Sequence, residues 1–187
     1  MLHKGLFVAI VGPSGAGKDT VIKAVAEAVR DQPDIIFVRR VVTRVSDGIT
    51  EDHDTMTQEA FEAGRQAGMF CLSWGAHGLF YGLPQSALDA VVRGNTVVAN
   101  VSRAVLAEAV RTFGRVAVVE ITADPQILLE RIMARGRESA DEARGRIARS
   151  AAFDVPHAAC RYVRIDNSGP IDAAKDQLTK ILSSSSV

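Results

Sequence analysis

Two rhythms alternate along the chain. Compact runs rich in Val, Ile and Phe recur as GLFVAIVG (5–12), IIFVRRVV (35–42), NTVVANV (95–101), RVAVVEI (115–121) and YVRID (162–166). Short apolar runs of this length fit strands covered on both faces, the condition of a parallel sheet. Helical spacing fills the gaps, over 20–30, 58–67, 84–93, 103–112, 125–134, 142–151 and 171–182. In the first of these helices Val21, Val25, Ala28 and Val29 fall on one face, and Pro33 closes the region. Strand-first alternation predicts a three-layer α/β fold around a parallel central sheet. Residues 43–82 interrupt the rhythm. They are richer in Gly, His, Asp and aromatic residues, and they predict a smaller inserted lobe. The expected organisation is one domain, with a core of 1–42, 83–134 and 150–187, a lobe of 43–82 and a separate segment of 135–149.

Composition narrows the function classes. The 187 residues carry 22 basic and 22 acidic side chains, so the formal net charge is zero, and 47% are hydrophobic. A neutral chain offers no electrostatic footprint for nucleic acid or an anionic membrane, and 5% aromatic content leaves no stacking platform. The N-terminal apolar run is too short to span a bilayer and leads into a glycine-rich loop rather than a cleavage site. Cys71 and Cys160 lie far apart without a CxxC, as expected of thiols in a reducing cytoplasm. A cytoplasmic protein follows. A homodimer is compatible with this reading, and the Ser-rich 183–186 is expected to fray.

The chemistry begins at GPSGAGKDT, residues 12–20. Glycines 12, 15 and 17 let successive backbone N–H groups turn inward, and the following helix brings its positive dipole end beneath them. Lys18 is placed to reach the β- and γ-phosphates of a nucleoside triphosphate and to follow the transferred group. Gly12, Pro13, Ser14, Gly15, Ala16, Gly17, Lys18, Asp19 and Thr20 together form the expected triphosphate site. A carboxylate at Asp19 stands where such loops place a Ser or Thr hydroxyl for Mg²⁺.

A second cluster is LLERIMARGRESADEARGRIARS, where Arg131, Arg135, Arg137, Arg144, Arg146 and Arg149 crowd one segment. Phosphoryl transfer spreads charge over equatorial oxygens, which guanidinium forks on a closing segment suit well. Such closure also excludes water that would hydrolyse the donor. Arg135, Arg137 and Arg146 are the expected lid groups. Arg131, Arg144 and Arg149 read as plain surface.

In order, the pieces GPSGAGK, VVTR, TQEAFE, HGLFYG, LLERIMARGRES and GRIARS resemble the guanylate kinase family of P-loop kinases over nearly the whole chain. The resemblance implies ATP as donor, Mg²⁺ as metal and a phosphate group as acceptor, handled by a core, an acceptor-binding lobe and an arginine-rich lid. It implies catalytic roles for Lys18, Arg135 and Arg146, and acceptor-phosphate binding by Arg44 beside Thr43. The departures are specific. CLSW puts Ser73 where the family has a Glu that reads guanine, TRVSDG offers Asp47 in place of a second phosphate-binding arginine, and His53 replaces a tyrosine. A Ser cannot reproduce the charge-assisted pairing of a Glu with guanine N–H groups.

With GPSGAGKD, LSW, HGLFYG, SRA and RGRE, the chain is similar to a narrower branch, the ribose 1,5-bisphosphate phosphokinases of phosphonate-degradation gene clusters. That resemblance implies phosphorylation of α-D-ribose 1,5-bisphosphate by ATP, giving ADP and 5-phospho-α-D-ribose 1-diphosphate. The accepting phosphate is already anionic at neutral pH, so positioning and charge neutralisation suffice without a general base. His53, Ser73, His77, Tyr81, Ser102 and Arg103 are the candidate partners of the sugar, whereas Trp74 and Phe80 read as packing. A nucleoside-monophosphate kinase such as guanylate kinase is the alternative, and a non-catalytic interaction module a third reading.

P-loop kinases commonly place an acid near the end of a neighbouring strand to hold the Mg²⁺ shell. Here NTVVANVSRAV has none, and Asn100 and Ser102 occupy that place. One reading is an exchange in which Asp19 supplies the missing charge, directly or through water. The other is that Asp19 caps the helix or pairs with a cation such as Lys18, and Thr20 serves the metal.

Overall fold

The computed structural model describes residues 4–43, 54–76, 78–134, 140–149 and 154–183, with the side chains of Ala140, Arg146, Ala148 and Arg149 excepted. Along the chain the elements are β1 (Leu6–Val11), α1 (Lys18–Ala28), β2 (Ile35–Phe37), β3 (Val41–Val42), β4 (Asp54–Thr55), α2 (Gln58–Gln66), β5 (Phe70–Ala76), β6 (Leu79–Pro84) and α3 (Gln85–Val92). Then come β7 (Thr96–Asn100), a 3₁₀ turn (Arg103–Val105), α4 (Leu106–Phe113), β8 (Val116–Thr122), α5 (Pro125–Met133), α6 (Ala140–Arg149), β9 (Arg161–Asp166) and α7 (Ile171–Ser183).

Five strands form an all-parallel sheet in the order β2-β7-β1-β8-β9. Central β1 is buried at every position, as its unbroken apolar run requires. Val8, Ile10, Val119 and Ile165 face α1 and α7, where Val21, Val25, Leu178 and Leu182 meet them. On the other face Phe7, Val97 and Val118 pack under Ala87 and Val91 of α3 and Leu106 and Phe113 of α4. Phe7 and Phe113 stack at 4.0 Å and 8°. Helix, sheet and helix make the three predicted layers.

Local chemistry sets the element ends. Asp124 caps α5 by accepting from the Gln126 amide at 2.8 Å, with Pro125 in the first turn. Thr57 caps α2 through the Ala60 amide at 3.2 Å. The helix expected over 103–112 opens as a 3₁₀ turn because the Ser102 hydroxyl accepts from the Ala104 amide at 3.3 Å. Ala28 is exposed rather than on the buried face of α1, where the stripe centres on Val21, Val25 and Val29 with Ile22 packed beside them.

The run 35–42 is not one strand. After Phe37 the core sheet retains only the bond from the Val38 amide to the Val98 carbonyl, 2.9 Å. Arg39 and Arg40 then interrupt the apolar sequence, and two consecutive arginines cannot continue a strand buried on both faces. The chain leaves the core there, and Val41 and Val42 join a second, four-stranded sheet ordered β4-β3-β6-β5. This sheet is mixed, with β3 and β4 parallel and the other pairs antiparallel.

Strands β5 and β6 were not foreseen in 43–82. Their hairpin connection contains Gly78 at φ 73°, between the paired Ala76 and Leu79. One face of this sheet carries Leu72, Trp74 and Leu83, buried against the core. The other carries Gly82 under the ring of Phe70, which stacks on Phe61 of α2 at 4.6 Å. Among the described residues no helix is long and apolar enough to cross a membrane.

Candidate active site

The loop at 12–17 hangs between β1 and α1, at the carboxyl end of the parallel sheet where α/β folds bind ligands. Gly12 has φ 142°, and a Cβ there would lie 1.9 Å from the Ile121 carbonyl oxygen of β8. Gly17, at φ 80°, starts α1, and no described side chain caps that helix. Its first-turn amides therefore face the loop, with the positive end of the helix dipole behind them. The Lys18 ammonium bridges the mouth of the loop, donating to the carbonyls of Gly12 and Pro13 at 2.9 Å each.

Asp19 does not point away into solvent alone. Its Oδ1 accepts a 2.6 Å hydrogen bond from Nδ2 of Asn100, the buried last residue of β7. The carboxylate is thus held beside the strand end that lacks an acid. Thr20 is exposed.

Arg131 is not plain surface. Its Nη1 is buried without a hydrogen-bond partner, and a Cβ on Gly17 would lie 3.9 Å from it. Beside it Asn167, just past the end of β9, donates from Nδ2 to the Ala16 carbonyl at 2.8 Å and leaves a buried Oδ1 without a partner. Sequence reasoning missed both. A polar residue immediately after a core strand was the available signal for Asn167, and Arg131 lies one helical turn from buried Leu128 on α5.

In the second sheet Thr43 serves the fold. Its Oγ1 accepts from the Phe80 amide at 2.9 Å, and its own amide donates to the Phe80 carbonyl. Tyr81 stacks on Trp74 at 5.5 Å and 7°, with the Arg40 guanidinium 5.6 Å from its ring centroid. Ser73 is in register with Gly82, whereas Trp74 is in register with Tyr81. Strand alternation therefore puts Ser73 on the opposite face from Tyr81. Trp74 is buried packing as expected. Phe80 is 41% exposed and stacks on Phe61 at 5.9 Å.

Ser102 caps the turn that Arg103 begins. Arg44, His53, His77, Arg135 and Arg137 lie outside the described residues, as does the side chain of Arg146 on α6. Arg144 pairs with exposed Asp141 at 3.2 Å.

Two further groups frame the site. Buried Glu120 of β8 accepts from the Tyr162 hydroxyl at 2.7 Å and from Arg164 Nε at 2.9 Å, closing β9 onto the sheet. Burial first, and then the bond to Glu120, raises the Tyr162 phenol above its ordinary value. Burial likewise pushes the Cys71 thiol up to about 11. Among the described residues no group of three or more His, Cys, Asp or Glu could hold a metal by itself. A divalent ion fits here only if the ligand's own phosphates complete its shell, which is how Mg²⁺ is commonly held.

No family model matches the chain. It is 44% identical over 171 residues to ribose 1,5-bisphosphate phosphokinase PhnN of Brucella melitensis, covering 91% of this chain and 88% of that one. The protein of the same name from Methylobacterium radiotolerans is 44% identical over 174 residues, covering 93% and 95%. The bifunctional ribose 1,5-bisphosphokinase-thymidine phosphorylase of Cupriavidus necator is 40% identical over 182 residues, 97% of this chain and 30% of that one. Among solved structures, guanylate kinase from Anaplasma phagocytophilum superposes with a TM-score of 0.71 at 21% identity, over 97% of this chain and 86% of its own.

Proposed function

The chain belongs to the ribose 1,5-bisphosphate phosphokinase family, and on that footing we propose that it transfers the γ-phosphoryl group of ATP to the 1-phosphate of α-D-ribose 1,5-bisphosphate. The products are ADP and 5-phospho-α-D-ribose 1-diphosphate. Relatives of that one activity align over most of this chain and of their own, and this observation carries the reading.

The loop geometry supports the donor half. Backbone N–H groups of 14–18 and the uncapped start of α1 bind the phosphates, and Lys18 exchanges its two carbonyl partners for phosphate oxygens. Arg131 and Asn167 each bring a buried polar atom without a partner to the edge of this loop, and they fit the remainder of the nucleotide. Asp19, fixed by Asn100, would hold Mg²⁺ directly or through water, together with Thr20 and the phosphates. When bound, the ion neutralises charge on the transferring group. Arg135, Arg137 and Arg146 are proposed to cover the donor from the lid. Thr43, Arg44, His53, His77, Ser102 and Arg103 are the proposed acceptor contacts, joined by one of Ser73 and Tyr81, which lie on opposite faces of the second sheet. The acceptor phosphate attacks in line, and the bond from the γ-phosphorus to the β,γ-bridging oxygen breaks, leaving ADP.

Purified protein incubated with ATP and either ribose 1,5-bisphosphate or GMP tests this directly by phosphorus NMR. Formation of the ribosyl diphosphate is expected. Turnover of GMP alone would overturn the proposal.

A further inference from the structure

Strand β7 closes an apolar run, TVVAN, on an amide, and all five positions are buried. Val97 and Ala99 turn toward α3 and α4, whereas Val98 turns toward α1 and α7. Alternation sends the side chain of Asn100 to the α1 side as well. Its backbone is pinned there. Asn100 is in register with Ile10 of β1, and the next amide, that of Val101, donates to the Ile10 carbonyl at 3.0 Å. A primary amide only 7% exposed beside an apolar core needs a polar partner. It has one in Asp19, in the first turn of α1, 81 residues away in sequence.

An ionised carboxylate only accepts hydrogen bonds, so this contact suits an amide and disfavours a second carboxylate. Asn100 Nδ2 donates to Asp19 Oδ1 at 2.6 Å, the short distance of a charge-assisted bond. Oδ1 is thereby engaged, and Oδ2 keeps its lone pairs. P-loop enzymes commonly carry the reverse arrangement, a hydroxyl in the loop and an acid on a neighbouring strand. We infer that Asn100 is a positioning residue for the divalent ion of the nucleotide. It orients the Asp19 carboxylate for coordination through Oδ2, and the two residues form one site in which charged and neutral partners have changed places. The inference deepens the kinase reading and rests on it, because the triphosphate must complete the metal's shell. The missing acid of β7 is then a condition of this site, since an acid there would face Asp19.

Mn²⁺ titrated into the complex with a non-hydrolysable ATP analogue, read by paramagnetic resonance, follows the metal apart from turnover. Asn100→Leu keeps the size of the side chain and removes the donor. It should raise the Mn²⁺ dissociation constant about 10-fold, the lower end of what the outer partners of a metal ligand supply. Affinity for the metal-free analogue should stay within about twofold. In an Asp19→Asn background the same substitution should add less than about twofold, because it acts through Asp19. The paired exchange of Asp19→Asn with Asn100→Asp rebuilds the hydrogen bond with donor and acceptor reversed. That protein should bind Mn²⁺ within about threefold of wild type, unlike Asp19→Asn alone.

Unchanged Mn²⁺ affinity in Asn100→Leu would overturn the inference. So would an equal loss of the metal-free analogue, or full additivity with Asp19→Asn, either of which marks a merely structural residue. The paired exchange decides the matter if Asn100→Leu does not fold, and an exchange no tighter than Asp19→Asn alone would also reject it. A wild-type protein that binds no ATP analogue would instead refute the kinase reading, before any variant is made.

Discussion

Asp19 was legible as an anomaly, and its partner explains how the anomaly is tolerated. A carboxylate beside bound phosphates needs compensation, and the bond from Asn100 fixes its orientation while leaving the second oxygen available. Asp19→Asn should therefore raise the Mg²⁺ concentration required for half-maximal activity and lower kcat at least ~10-fold, the equivalent of ~1.4 kcal/mol. Mn²⁺ titrated into the ATP complex by paramagnetic resonance should bind more weakly in the variant; unchanged metal affinity would remove the role. Cys71 makes a separate case. With the folded thiol near 11 against an ordinary 9.0, the folded state holds the extra proton between those values. The contribution to stability is present below about pH 9 and falls as pH rises toward 11, since the unfolded chain ionises first. Alkylation at pH 8 should label exposed Cys160 and spare Cys71 until the protein unfolds, as peptide mass spectrometry would show. Arg131 and Asn167 were illegible at this scale because both depend on side-chain burial against a loop distant in sequence.

Elements were the most legible level. Apolar runs located all five core strands. Burial on both faces demands such runs in β1, β7 and β8. YVRID, expected to be covered on both faces, instead forms the edge strand β9 and is largely exposed. Failures came where neighbouring residues changed the partner sheet. Nothing in IIFVRRVV except its two arginines announces that Phe37 and Val41 pair with different sheets. In the second sheet, FCLSWGA and LFYGLP bury alternate positions only in part, and a glycine-containing connection was the stronger sign. The helical layers rest on a few large contacts, so Phe113→Ala, which removes the ring stacked on Phe7, should cost about 3–5 kcal/mol. Urea unfolding would measure it, and a loss below ~1 kcal/mol would mean that α4 is held chiefly by Leu106 and Ala109.

At the scale of the whole molecule, the chain builds a parallel sheet and detours once between two strands that end up adjacent, β2 and β7. The entire second sheet is that detour. Its two points of departure, near Val38 and Pro84, leave the hydrophobic layers of the core unbroken. Composition gave no view of this. What the sequence did expose was the glycine-rich loop and the lobe that interrupts the core sheet, because each has its own residue chemistry. The structure adds which of those residues the packing already requires.

Gly12 is closed off by Ile121 of β8, and Gly17 by the amide of Asn167, before any nucleotide is considered. Lys18 and Asp19 are not closed in by neighbouring atoms in this way: Lys18 donates to the loop carbonyls of Gly12 and Pro13, and Asp19 accepts from Asn100. A selection for folded protein alone should therefore reject Gly12→Ala and Gly17→Ala but accept Lys18→Ala, whose melting temperature should stay within a few degrees of wild type. The letters of the loop thus belong to two different records. The glycines testify to ancestry and architecture, and would survive in a descendant that had abandoned catalysis. Lys18 and Asp19 are the positions that would fade first, and their persistence is the better witness to a working kinase.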